Sequence, residues 1–253
     1  MRSDKKPLAR SPSVSAQEHV HKDGRPVPDV FKIEAPRYLG DEDIPFDRYI
    51  SQDFFDLEME KMWNHTWQWA CREEHIPEVG DYYVYEIGLQ SVLIVRDKDE
   101  SIKAYVNACL HRGTKFRLGG SEGTFEEIRC PFHGWTWELD GGLKTIPYDW
   151  DAPHVIDRDF SLPKVSVDLW GGFVFINLDE NAEPLAEYIN PIPEHFANFS
   201  LEDRFVELHI EKELSCNWKA AKEAFIENYH TQQTHPQLLL GSDDEGTQYD
   251  VFN

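Results

Sequence analysis

Cys109-Leu110-His111 and, after eighteen intervening residues, Cys130-Pro131-Phe132-His133 constrain this chain more than any other feature. Each short segment holds one thiol and one imidazole, so a shared metal group must draw one ligand of each kind from two separate loops. Two such pairs suit a [2Fe–2S] cluster in which imidazoles replace the thiolates on one iron. Cys109 and Cys130 then hold one iron, and His111 and His133 the other. Neutral imidazoles remove negative charge from the cluster and raise its potential above that of an all-thiolate centre, which fits it to take electrons from a ferredoxin and pass them on. Zinc also accepts two Cys and two His, but zinc modules usually group them as Cys-x2–4-Cys followed by His-x3–5-His. Alternation of the two ligand types along the chain favours iron and sulfide.

The 253 residues suffice for about two domains, each with its own core. A formal charge of −22 excludes nucleic acid, whose phosphates need Lys and Arg to neutralise them, and an anionic membrane surface. No apolar run approaches the ~18 residues of a membrane span, and no continuous apolar segment near the start reads as a secretory signal. Of the four Cys, Cys71 and Cys216 read as buried free thiols rather than a disulfide, in keeping with a cytoplasmic setting. Charged redox partners are expected at a local basic patch that the sequence does not locate.

Residues 1–40 carry eight Lys or Arg, five Asp or Glu and five Pro, and read as a mobile leader. Residues 41–65 form a helical segment in which Ser51 caps a helix running to Trp63, with Phe55, Met59 and Met62 on one face. From Asp81 the period changes to two. Tyr83, Tyr85 and Ile87, then Val92–Val95 and Ile102–Val106, predict strands, and Trp135, Trp137 and Leu139 lead into an Asp140-Gly141-Gly142 hairpin turn. A further strand is expected from Leu169 to Leu178 and another at Val206, Leu208 and Ile210. Pro184, Pro191 and Pro193 break up the connection between them. A last helix, capped near Asn217 and carrying Trp218, Ala221, Phe225 and Tyr229, must end by His235 because Pro236 follows.

That helix carries Glu227, His230 and His235. Five residues separate the two histidines, about 140° around an ideal helix, so they converge on one ion only if the helix distorts or stops between them. Glu227 and His230 are three apart and share a helical face.

Cys109-Leu110-His111-Arg112-Gly113 and Cys130-Pro131-Phe132-His133-Gly134-Trp135 resemble the two loops of the Rieske family. Asn217-Trp218-Lys219 followed by Glu227, His230 and His235 resembles the catalytic-domain segment of Rieske non-heme iron oxygenases, the alpha subunits of aromatic-ring-hydroxylating enzymes. The resemblance runs from about Asp41 to the end of the chain and includes Glu58-Met59-Glu60-Lys61-Met62-Trp63. It implies an α+β fold: an all-β Rieske domain at 66–165, inserted near the start of a helix-grip type α/β catalytic domain that continues at 166–253. It also implies that His230 and His235 bind a mononuclear Fe(II), and that Glu227, where the family often has Asp, links that site to the Rieske histidine of a neighbouring subunit.

By the same resemblance electrons come from NAD(P)H through a separate reductase or ferredoxin. The assembly is a homotrimer, or three alpha subunits with three small beta subunits, and oxygen enters an organic substrate, aromatic in most of the family. A bare Rieske electron carrier is the alternative. The family's third iron ligand is a carboxylate far downstream. Asp243, Asp244, Glu245 and Asp250, the only acids after His235, read as a solvated loop, so the catalytic domain is expected to be C-terminally incomplete and inactive by itself.

Overall fold

The computed structural model describes residues 14, 16–35, 37–156, 158–227, 230–238 and 251. Two compact units emerge: Asp56–Leu208, and a second made of Met1–Phe55 with His209–Asn253.

Among the described residues the first unit holds ten strands: β1 Gln68–Arg72, β2 Asp81–Ile87, β3 Gln90–Arg96, β4 Ile102–Val106, β5 Glu122–Thr124, β6 Ile128–Arg129, β7 Thr136–Trp137, β8 Leu143–Thr145, β9 Ser166–Trp170 and β10 Phe173–Asn177. They build three antiparallel sheets, ordered β4-β3-β2-β5, β1-β10-β9 and β6-β7-β8. The four-stranded sheet is covered on both faces. Tyr82, Val84, Leu93, Val95 and Tyr105 pack into a core shared with Trp137, Phe116, Cys109 and Cys130. Val92, Ile94, Ile102 and Ala104 face a second core with Cys71, Val174 and Ile176. Burial on both faces explains why Ser91–Val95 is buried throughout instead of alternating. In β2, Tyr82 and Val84 are the more deeply buried set, while Tyr83 and Tyr85 are half-buried against the second core.

The stretch from Leu169 to Leu178 is a hairpin, not one strand. Trp170 pairs with Phe173 across Gly171 and Gly172, whose φ values of 58° and 79° are what a two-residue hairpin turn of the mirror-image type requires. Because β9 and β10 pair onto β1, the compact unit runs past residue 165, where the cluster domain was expected to end. The Asp140-Gly141-Gly142 turn forms as expected, with Gly142 N–H donating to Asp140 Oδ1 at 2.8 Å, although β7 and β8 around it are short. The helix after Ser51 forms with the Ser51 hydroxyl accepting from Phe54 N–H at 3.3 Å, but it is α-helical only over Gln52–Glu58 and becomes a π-helix over Met59–Trp63.

The strand expected at Val206, Leu208 and Ile210 does not form. Leu208 and Ile210 are about three-quarters exposed, and no ladder partner is present among the described residues. Apolar alternation without a partner edge leaves backbone N–H and C=O groups to other acceptors and donors. Here the chain is held by side chains: Val206 N–H donates to Glu74 Oε1 at 2.7 Å, and the buried Arg72 guanidinium donates to Arg204 O at 2.6 Å and Leu201 O at 3.3 Å.

In the second unit part of the expected leader is ordered, with a short helix Ala16–Lys22 and a turn Asp29–Lys32 that buries Val30. Residues 1–13, 15 and 36 lie outside the described residues. Asn217 caps the helix Trp218–Ile226, its Oδ1 accepting from Lys219 N–H at 3.0 Å while its Nδ2 donates to Tyr49 O at 3.0 Å. Cys71 is buried, and burial pushes its thiol up to about 12; Cys216 is exposed, which corrects the expectation that both free thiols are buried.

At Gly172 a Cβ would lie 2.8 Å from the Arg72 guanidinium in a backbone conformation that L side chains rarely adopt. Gly172→Val is therefore expected to lower stability by about 1–3 kcal/mol. The check is the urea midpoint; an unchanged midpoint contradicts the role given to this turn.

Candidate metal centres

Two turns of the same design carry the first site. Cys109 C=O accepts from Gly113 N–H at 2.8 Å, and Cys109 N–H donates to Thr114 O at 2.9 Å. Cys130 C=O accepts from Gly134 N–H at 3.1 Å, and Cys130 N–H donates to Trp135 O at 2.8 Å. Each turn closes on a glycine with φ of 74°, a conformation with little penalty for a residue without Cβ. The histidine sits two residues after the cysteine in one turn and three after it in the other. Sequence spacing alone does not show that the two backbones are equivalent.

The turns separate the ligand types by depth. Cys109 and Cys130 are 3% and 2% exposed and belong to the core around Trp137. His111 and His133 are exposed, their ring centroids 4.7 Å apart. Trp135, itself buried, stacks on His111 at 4.9 Å with ring planes 2° apart, so packing around the site falls to Trp135 and Trp137 as expected. Burial raises the Cys109 thiol, and its side-chain hydrogen bond with Cys130 adds to this, while the backbone at His111 and Arg112 opposes it. Loss of water lowers the His111 imidazole, helped by His133 and Arg112, which keeps a ring lone pair available for a metal.

These donors fit a two-iron cluster: a buried thiol pair for one metal and an exposed imidazole pair for the other.

Asn107 was not picked out from the sequence. It is 1% exposed and its side chain is fully used. Oδ1 accepts from Phe116 N–H at 3.0 Å, and Nδ2 donates to Arg117 O at 2.7 Å and to Ser91 Oγ at 3.0 Å. It thereby ties both ends of the Cys109 turn to β3. A single Asn two residues before a Cys carries no signal that would single it out.

The second site is built differently from the helix expected. The Trp218–Ile226 helix stops, Glu227 is extended with φ −129° and ψ 156°, and a separate short helix Thr231–Thr234 begins after His230 and ends at His235. This break is the stop that convergence requires, and the imidazoles of His230 and His235 lie 5.5 Å apart, centroid to centroid. Glu227 still meets His230, though not as neighbours on one helical face. Its Oε1 is 2.5 Å from Nδ1 and its Oε2 accepts the His230 backbone N–H at 3.1 Å. A proton on Nδ1 leaves Nε2 free for a metal. Tyr229, Asp243, Asp244, Glu245 and Asp250 lie outside the described residues.

A β domain with paired Cys/His turns, in one chain with a two-histidine site beside a carboxylate, defines a Rieske-type iron protein with a second metal centre. Residues 66–155 match the Rieske [2Fe-2S] domain, and residues 194–252 match the ring hydroxylating alpha subunit catalytic domain. The glycine betaine monooxygenase oxygenase subunit of Pseudomonas aeruginosa is 28% identical over 196 residues, 78% of this chain and 45% of that protein. Benzene 1,2-dioxygenase subunit alpha of Pseudomonas putida is 32% identical over 192 residues, 74% of this chain and 42% of that protein. Among solved structures, a quaternary ammonium Rieske monooxygenase in complex with L-carnitine matches with a TM-score of 0.71 at 27% identity, covering 79% of this chain and 57% of that one. Naphthalene 1,2-dioxygenase from a Rhodococcus species matches with a TM-score of 0.67 at 27% identity, covering 78% and 46%.

The chain belongs to the Rieske oxygenase alpha-subunit family, whose two domains imply a Rieske [2Fe–2S] cluster and a mononuclear iron. It spans about half the length of the curated relatives it matches.

Asn107→Leu keeps the branched side-chain shape and removes the side-chain hydrogen bonds from Asn107 to Phe116, Arg117 and Ser91. Leaving those buried groups unpaired costs about 1–3 kcal/mol each. The purified variant is expected to hold well under half the iron and sulfide of the parent chain. Full cluster content would show that the turn is held without Asn107.

Proposed function

We propose that this chain is the oxygenase component of a Rieske system that hydroxylates an organic substrate. The observation that carries the proposal is the thiol pair buried beneath the imidazole pair, in one chain with Glu227, His230 and His235. Cys109, Cys130, His111 and His133 would hold a [2Fe–2S] cluster, and His230 and His235 a mononuclear Fe(II). When bound, these groups supply one-electron transfer and dioxygen activation respectively.

The chain's own residues set the conditions for both. The core around Trp137 keeps water from Cys109 and Cys130, and the two turns bring His111 and His133 to the surface, where an electron enters or leaves over a short path. Trp135 fixes the plane of His111. Glu227 accepts from Nδ1 of His230, which orients that ring and raises its basicity toward a metal at Nε2. With both its oxygens on His230, Glu227 is a positioning residue for that imidazole, and its remaining lone pairs are what a link to a neighbouring subunit would use.

Electrons would come from NAD(P)H through a separate reductase or ferredoxin, and a trimer, with or without a beta subunit, is the assembly that the resemblance implies. Free thiols agree with the cytoplasm, and among the described residues no helix is long and apolar enough to cross a membrane. The named relatives act on quaternary ammonium compounds and on aromatic hydrocarbons, so the substrate class proposed is the broader one, with an aromatic ring as the narrower expectation. A bare electron carrier would leave residues 194–252 and the Glu227–His230 pair without a use.

The protein purified without oxygen is expected to be red-brown, with about two irons and two sulfides at the first site and a potential well above the roughly −400 mV of an all-thiolate ferredoxin. Cys109→Ser or His133→Ala should abolish its spectrum. A colourless protein with one zinc would sink the proposal. In the full-length oxygenase, Glu227→Gln should leave the cluster reducible while mononuclear iron content and turnover fall ~10–100-fold. Turnover near that of the parent would reduce Glu227 to an ordinary surface acid.

A further inference from the structure

One cation is buried where helix electrostatics disfavour it. Lys219 is 8% exposed, the one buried Lys among the described residues, and it sits in the first turn of the Trp218–Ile226 helix. That end of a helix carries the positive pole of its dipole and favours acids, none of which stands in this first turn. Burying an ammonium there is costly unless its surroundings are built to receive it.

Three aromatic rings form those surroundings. Nζ of Lys219 lies 5.1 Å from the ring centre of Trp218, 5.3 Å from that of Phe54 and 5.8 Å from that of Tyr49. At such distances ring faces attract a cation, and more strongly away from water. Tyr49 also grips the helix at two levels. Its C=O accepts from Nδ2 of Asn217, the helix cap, at 3.0 Å, and its hydroxyl donates to Glu223 Oε1 at 2.8 Å. Those two points are separated by about 9 Å along the axis. A helix held at its cap, at Lys219 and at Glu223 resists both sliding and turning about its axis.

We propose that Lys219 is a positioning residue for the second metal site, fixing through its aromatic cage the helix from whose end Glu227 and His230 emerge. This rests on the reading of His230 and His235 as iron ligands. Glu227 follows the last helical residue directly, so its carboxylate inherits any rotation of the helix. A rotation of about 20° moves a side-chain tip lying roughly 5 Å from the axis by ~2 Å, against the ~0.5 Å that a ligand set tolerates. The bonds from Glu227 to the ring and backbone of His230 pass that error on to the imidazole.

The test uses the full-length oxygenase, freed of mononuclear iron under anaerobic conditions and titrated with Fe(II). Nitric oxide is then added, and the electron paramagnetic resonance line shape of the ferrous nitrosyl reports how the ligands are oriented. Lys219→Met keeps the apolar stem and removes the charge. It is expected to weaken Fe(II) binding about tenfold and to broaden the nitrosyl signal, with the cluster spectrum as in the parent. Lys219→Arg, whose guanidinium also stacks on aromatic rings, should restore both to within about threefold. Tyr49→Phe loses only the hydroxyl at Glu223 and should shift both in the same direction by a smaller factor. Lys222→Met removes an exposed cation from the same helix and should change neither.

Parent-like iron affinity and line shape in Lys219→Met overturn the proposal. A loss of iron that only tracks the unfolded fraction, with the parent line shape in what stays folded, overturns it as well, because that is a structural role alone. Where Lys219→Met does not fold, Tyr49→Phe decides: parent affinity and line shape in that variant sink the idea. Unchanged Fe(II) binding after His230→Ala in the otherwise parent enzyme overturns instead the reading of the second site, an outcome visible before any Lys219 variant is made.

Discussion

Placing two thiols inside a packed core while keeping two imidazoles at its surface is the constraint on which the first unit depends. Cys109 and Cys130 project into the same cluster of side chains as Trp137, Phe116 and Leu93, so the bottom of the metal site and the hydrophobic core are one region. The chain must then return to the surface within a few residues, twice. Gly113 and Gly134 make those reversals possible, and Asn107 and the backbone of Trp135 anchor their bases. Any change that loosens the core near Trp137 also loosens the thiol pair.

The four-stranded sheet serves that arrangement by being covered on both sides. One face carries the thiol core, and the other is closed by β1, β9 and β10 through Cys71, Val174 and Ile176. A strand such as β3, buried on both faces, is fixed in register by packing alone. Asn107 and Ser91 then use that fixed strand as a reference for the first turn. The second site relies on a different device. The chain leaves helical geometry at Glu227, so that one carboxylate holds both the backbone and the ring of His230 while His235 comes alongside.

The two Cys/His loops whose thiols and imidazoles the structure brings together as pairs were legible because such chemistry uses a few residue types at short spacings. Strands β2, β3 and β4, the hairpin at Gly141 and the Asn217 cap were also legible, since each rests on local periodicity or on one side chain bonding its own backbone. What failed was tertiary. The strand expected at Val206 to Ile210 alternates correctly but has no partner edge among the described residues, and pairing cannot be read from one segment. The Gly171–Gly172 turn was overlooked inside a long apolar run, although two adjacent glycines between β-branched and aromatic residues are a hairpin signal. The helix break at Glu227 has no Gly or Pro to mark it.

The division of labour between the two turns can be tested at the metal itself. With the chain labelled with 15N-histidine and the cluster reduced, pulsed electron paramagnetic resonance should resolve two nitrogen couplings. The His111→Cys and His133→Cys variants should each lose one of them while retaining cluster absorbance. Two couplings, each traceable to one of these residues, are what the proposed assignment predicts. An absence of nitrogen coupling in the parent chain, or couplings that survive both substitutions, would contradict the assignment of the exposed imidazole pair as ligands.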